Sequence, residues 1–133
     1  MIKRNTGFSL IELLIVVAVI GILTMVSIGI FGDNVTAANR TDARKTLSET
    51  AASLEKCKAL YSAYNSANCA LVFPVNSEEG LYTISVARTG ATFTLTATPV
   101  VGKAQASDTE CTTLTLTHTG LKGATGADTT VCW

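Results

Sequence analysis

FSLIELLIVVAVIGILTMVSIGIF, residues Phe8 to Phe31, is the stretch on which the reading of the chain turns. It carries one charged residue, Glu12, in a run otherwise apolar or small, and its length is that of a helix crossing a bilayer. Before it stands MIKRNTG, residues 1–7, whose Lys3 and Arg4 the positive-inside tendency holds on the cytoplasmic side. A secretory signal would place a small-residue cleavage site after the apolar run, but GDNVTAANRT follows Phe31 and offers no A-x-A pattern. The one obvious processing point is Gly7, ahead of the run. The expectation is a short leader (1–7) that is trimmed while its hydrophobic segment (8–31) is kept.

Glu12 is the anomaly within that segment. A carboxylate deep in hydrocarbon costs about 2.5–3.5 kcal/mol on translocon scales, so it needs a partner or a task. Cutting after Gly7 would give Phe8 a free α-amine, whose unperturbed pKa of about 8 leaves it positive at neutral pH. That amine can meet Glu12 of the same chain or of a neighbour. Ser9-Leu-Ile-Glu12 is equally a capping box, in which the carboxylate folds back onto the helix start. On the residues alone both readings stand.

GFSLIELLIVVAVIGIL resembles the class III leader and N-terminal helix of the type IV pilins and of the related type II secretion pseudopilins. Matched residue by residue, the resemblance implies prepilin-peptidase cleavage after Gly7, N-methylation of Phe8 and a subunit-docking role for Glu12. Gly21 falls where the family often has a helix-loosening glycine. Gly29 stands where many type IV pilins carry a proline, and glycine is itself a weak point in a helix. The resemblance covers the first quarter of the chain.

The 133 residues leave room for one modest domain, 32–133, beyond the single apolar span. Basic and acidic residues balance at ten each; without Lys3 and Arg4, eight face ten and the charge is about −2, which is no nucleic-acid signature. Four cysteines, all beyond the apolar run, fit an oxidising compartment. With Lys3 and Arg4 inside, that compartment lies outside the cytoplasmic membrane.

From Asp33 to about Asn65 the chain reads as a continuation of the helix, with Leu47, Ala51, Leu54, Cys57 or Lys58, Tyr61 and Tyr64 recurring at three and four. Asp33-Asn34 marks a softer join. An unbroken helix from Ser9 to Tyr64 would run on the order of 80 Å at 1.5 Å per residue, far beyond a bilayer, so half of it must project into a soluble domain or an assembly. LVFPV, within the connector 65–80, suits an apolar anchor or an edge strand because Pro74 excludes a central one. LYTISVA (81–87), TFTLTATPVV (92–101) and TTLTLTHT (112–119) then alternate as three strands. The expected fold class is α+β: a long N-terminal helix packed on a small antiparallel β-sheet, the type IV pilin fold.

The tail 120–133 is rich in glycine and threonine and needs a tie. Four cysteines allow three connectivities; proximity favours Cys57 with Cys69 and Cys111 with Cys132, each bridge contributing about 2–4 kcal/mol. A tetracysteine zinc site lacks paired C-x-x-C spacing. The cysteine-bounded ending resembles the D-region of type IV pilins, and LTLTHTGLKG…CW is most like the small PilE-type minor pilins.

Other chemistry is thin. His118, the one histidine, stands in a threonine-rich strand without a second histidine, a G-x-S-x-G or a phosphate loop, and reads as an exposed or edge residue. Asp108, Glu110 and Asp128 lack an ordered calcium-ligand spacing and read as solvated loop charges. Arg40, Arg44, Lys45, Lys56 and Lys58 read as an exposed helix face, with contact to DNA or acidic neighbours as the alternative. Tyr61 and Tyr64 read as core cover rather than a base-stacking platform. No cofactor or metal is expected. The reading is therefore a structural subunit rather than an enzyme: a minor pilin processed by the prepilin peptidase/N-methyltransferase and held in the inner membrane. The inner-membrane assembly machinery then lifts it into a surface pilus among other pilin subunits, with adhesion, motility or DNA uptake as its service. The alternatives are a type II secretion pseudopilin and a minor pilin whose head binds DNA or a surface ligand.

Overall fold

The computed structural model describes residues 8–133, except the side chains of residues 26–30. Gly7, the expected cleavage point, lies outside the described residues. The chain divides into two compact units between Asn34 and Val35.

A single helix, α1, runs Leu10–Tyr61 without a break at Gly21, Gly29 or the Asp33-Asn34 join. Its start is set by Ser9, whose carbonyl and hydroxyl both accept the Glu12 N–H, at 3.1 and 3.3 Å. Thr24 adds no unsatisfied polar group to the apolar run, because its hydroxyl donates to the Ile20 and Gly21 carbonyls at 3.0 Å each. Leu10, Ile11, Leu13, Leu14, Ile22, Leu23 and Phe31 are all exposed, on every side of the helix. An apolar surface of that extent calls for lipid or other helices. Among the described residues no helix is long and apolar enough to cross a membrane; the apolar run of the sequence includes positions 26–30. The helix stops at Ser62, in the left-handed region at φ 62°, whose N–H closes back on the Lys58 carbonyl at 2.7 Å.

In the second unit the helix buries the row Arg40, Ala43, Leu47, Thr50, Leu54 and Cys57, spaced alternately by three and four. Five antiparallel strands follow in simple meander order: β1 (Val75–Asn76), β2 (Tyr82–Arg88), β3 (Phe93–Pro99), β4 (Thr113–Thr117) and β5 (Lys122–Thr125). Alternation decides their faces. Tyr82, Ile84, Phe93, Leu95, Ala97, Leu114 and Leu116 turn inward and join Leu47, Leu54 and Tyr64 in one core, each large buried side chain contributing about 1.5–3 kcal/mol. Thr83 pairs with Thr98, and Ser85, Thr96 and Thr115 lie in one cross-strand row on the opposite face.

The three strands read from alternation are β2, β3 and β4; β1 begins at the end of LVFPV, read as an apolar anchor or an edge strand, and β5 is an addition. Val75–Asn76 forms the edge beside Pro74. The tail, expected to need a tie, has one: Cys111 is bonded to Cys132 and Cys57 to Cys69, each S–S bond 2.04 Å. β5 can lie against β4 because Gly123 has no Cβ, which would stand 2.6 Å from Thr115 Oγ1. The Trp133 indole N–H donates to the Gly123 carbonyl at 2.7 Å and closes the edge of the sheet there.

Candidate functional site

Three groups of polar residues stand out, and they do different work. The first fastens the C-terminal loop to the helix. Arg40, on the buried row of α1, donates from Nε to Asp108 Oδ2 at 2.7 Å and from Nη2 to Asp108 Oδ1 at 2.9 Å, a bidentate fork. The same Nη2 reaches Glu110 Oε2 at 2.8 Å, and Nη1 reaches the Val131 carbonyl at 3.3 Å. One turn on, Arg44 Nε donates to the Cys132 carbonyl at 2.9 Å. Asp108 Oδ1 also accepts the Cys111 N–H at 3.1 Å, which ties the disulfide into the cluster. Burial pushes the Asp108 carboxyl up, but the Arg40 guanidinium and the Cys111 N–H outweigh it and hold the group below its ordinary value. Asp108 hydrogen bonding raises the Arg40 guanidinium further above its already high value.

Two expectations are corrected here. Arg40 is not on an exposed helix face: its side chain is 4 % exposed and that of Asp108 is 1 %. Asp108 is not a solvated loop charge but is buried against Arg40, whereas Glu110, which also meets Arg40, keeps a side chain 56 % exposed. Asp128 is spent on a short-range cap, accepting the Thr130 N–H at 3.1 Å. Gln105, which nothing in the sequence singles out, is buried and donates to Tyr82 Oη at 2.8 Å, extending the network into the sheet. One sequence signal could have found Arg40. It stands four residues before Arg44, on the three-and-four row that continues through Ala43 and Leu47, and so points inward.

The second group gathers cations and rings at the end of the head where α1 stops. Lys58 Nζ lies 4.4 Å from the Tyr64 ring centroid and 3.3 Å from the Ala91 carbonyl. Tyr64 is edge-on to Phe93 at 4.9 Å, and Phe93 is edge-on to His118 at 6.3 Å. Arg88 lies 5.5 Å above Phe73 and donates to the Tyr64 carbonyl at 3.2 Å. Tyr64 is core cover as expected, with its hydroxyl on Glu55 Oε1 at 2.7 Å, but Tyr61 is not, being 43 % exposed. Lys56, on the far side of the buried Cys57 from Lys58, borders an open groove with Leu60, Tyr61 and Leu71. Of the eight cations in residues 35–133, carboxylate pairs among the described residues engage Arg40 and Lys45 alone. Lys45 is bound to Glu78. The cations that keep their charge for a partner are thus Arg44, Lys56, Lys58, Arg88, Lys103 and Lys122.

The third group lies in the other unit. Phe8, Glu12, Leu13 and Val16 surround one apolar hollow. Glu12 is exposed, and among the described residues its carboxylate has no hydrogen-bond partner. Half of the capping box is formed, by Ser9; the return bond from Glu12 is not.

The helix packed on a five-strand meander, with a disulfide-closed tail, is the architecture of a type IV pilin. The crystal structure of the Neisseria meningitidis non-core minor pilin PilV superposes on it with a TM-score of 0.57 at 17% identity, covering 71% of this chain and 90% of that one. A type IV pilin from Shewanella oneidensis gives a TM-score of 0.48 at 26% identity, over 65% of this chain and 89% of that one. No curated relative matches. The prokaryotic N-terminal methylation motif matches residues 2–28. The family described as type IV minor pilin ComP, DNA uptake sequence receptor, matches residues 30–115, and the chain belongs to that family.

Proposed function

We propose that this minor pilin captures DNA at the surface of a type IV pilus and presents it for uptake. The observation that carries the reading is the match of most of the head to a family described as a DNA uptake sequence receptor. The cations left unspent within the head agree with it, since phosphate binding needs lysines and arginines that no carboxylate of the chain already neutralises. Lys56 and Lys58 flank the end of α1 beside exposed Tyr61, so they can meet a backbone without dismantling the core.

The other unit serves assembly. The leader is cut after Gly7 by the prepilin peptidase, which methylates the new Phe8 amine. The apolar helix holds the chain in the inner membrane until it is lifted into the filament. Glu12, exposed in apolar surroundings and without an intrachain partner among the described residues, docks on the Phe8 amine of a neighbour. Filament burial exchanges lipid contacts for helix contacts, so the pairing of Glu12, rather than the hydrophobic effect, gives the filament its preference.

A salt series tests the DNA reading. Full-length chain in detergent should retain duplex DNA, with log K falling against log salt by about 0.9 for each phosphate-contacting lysine. Lys56→Ala and Lys58→Ala should each reduce that slope by about one unit. No retention at low salt, or an unchanged slope in the double variant, would sink the proposal.

A further inference from the structure

The two disulfides stand in opposite surroundings. Cys111 and Cys132 are both 0 % exposed. Cys57 and Cys69 instead form part of the wall of the open groove, of about 280 Å³, at the end of α1; Cys57 is 5 % exposed there and Cys69 is half-buried. The lining of that groove includes one cation, Lys56, and no carboxylate. A second cation reaches the sulfur itself, since Arg88 Nη1 lies 3.9 Å from Cys69 Sγ. Arg88 is held there independently of the bridge, because its Nη1 also donates to the Tyr64 carbonyl at 3.2 Å and its guanidinium lies 5.5 Å from the centre of the Phe73 ring. Cations beside a sulfur favour its thiolate, and a thiol of lower pKa leaves faster in exchange.

We propose that Cys57–Cys69 is a thiol-exchange site, opened by a dithiol that enters the groove, while Cys111–Cys132 is the permanent structural bridge. A thiolate of the dithiol attacks Sγ of Cys69, the more exposed residue of the pair. The Cys57–Cys69 bond breaks, and its electron pair goes to Cys57 Sγ, which takes a proton from solvent. The second thiolate of the dithiol then attacks the dithiol's own sulfur in the mixed disulfide. Cys69 leaves as a thiolate beside Arg88, and the dithiol departs as a disulfide. The cysteine pair has gained two electrons and the dithiol has lost two; the reverse sequence, begun by the Cys69 thiolate on an oxidised dithiol, closes the bridge again. Arg88 serves both directions as a positioning residue, drawing the incoming thiolate and holding the outgoing one.

Timed exposure of the folded full-length chain in detergent to dithiothreitol, followed by alkylation and peptide mass spectrometry, tests it. Alkylated Cys57 and Cys69 should appear at least about tenfold faster than alkylated Cys111 and Cys132. In the chain so opened, the rate of Cys69 alkylation should titrate below the ordinary thiol value of about 8.5, move up in Arg88→Ala and stay low in Arg88→Lys. Opening of both bridges at one rate, or of Cys111–Cys132 first, would overturn the proposal. A Cys69 profile that lies at the ordinary value, or that Arg88→Ala leaves unchanged, would overturn it too, since the cation would then take no part in the exchange.

Discussion

Replacing Arg40 by alanine is expected to destabilise the head by about 3–5 kcal/mol, the cost of breaking a buried ion pair by removing one partner. The charge left behind is Asp108, whose side chain is 1 % exposed and would keep the Cys111 and Glu110 backbone N–H groups and Gln105 but no cation. Glu110 loses a partner too, but its side chain is 56 % exposed and water replaces the contact at little cost. Replacing the pair together, Arg40→Met with Asp108→Leu, should cost much less, because no uncompensated charge remains. A double-mutant cycle from urea melts reads the difference directly. The pair also has an acid signature. The Asp108 carboxyl is held below its ordinary value of 3.8, so it contributes stability in full above that value, and the contribution fades as the pH falls through the lowered one. The gap in stability between the native chain and Arg40→Ala should therefore narrow as the pH falls, beginning above the ordinary carboxylate value, because burial without the arginine raises the Asp108 carboxyl in the variant. A gap that stays constant down to pH 2 would mean that packing of the arginine stem, not the charge pair, carries the loss.

The second large effect belongs to the Cys111–Cys132 bridge. Its 21-residue separation is the longer of the two, against 12 for Cys57–Cys69, and it closes the loop that holds β5, with Trp133 just beyond it. Cys111→Ser with Cys132→Ser should cost about 2–5 kcal/mol and the shorter bridge somewhat less, since loop-closure entropy grows with length. The loss should also be local. β5 contributes four residues, one of them glycine, and Trp133 anchors it through a single indole bond. Limited trypsin digestion after Lys122, with reduction before mass analysis, should release Gly123–Trp133 much faster from the double serine variant than from the native chain or from Cys57→Ser with Cys69→Ser. Equal release from all three would show that Arg40 and Arg44, not the disulfide, hold the tail.

These two sites also mark the limit of what the sequence discloses. LYTISVA, TFTLTATPVV and TTLTLTHT announce β2 to β4 because a half-buried strand writes its two faces into alternate residues. KGAT writes nothing: it is too short to alternate, and its place depends on Gly123 fitting under Thr115 and on Trp133 closing the edge. Val75–Asn76 is legible only through the proline before it. The apolar run from Phe8, with Glu12 in it, announces a filament-forming helix as plainly as local sequence can. The anchoring cluster is hidden for a different reason. Arg40 and Asp108 are 68 residues apart, so nothing local distinguishes that arginine from the solvated cations of the same helix, except its phase on the buried row. The unspent cations follow only once Arg40 and Lys45 have been assigned their carboxylates.

Mass spectrometry of the unreduced chain, taken in parallel from sheared surface filaments and from membranes, tests the central claim most directly. The account predicts a chain in the filaments at low stoichiometry, beginning at an N-methylated Phe8 and four hydrogens lighter than its thiol form, as two disulfides require. A chain that keeps residues 1–7, or is cut elsewhere, and is found only in membranes would contradict it.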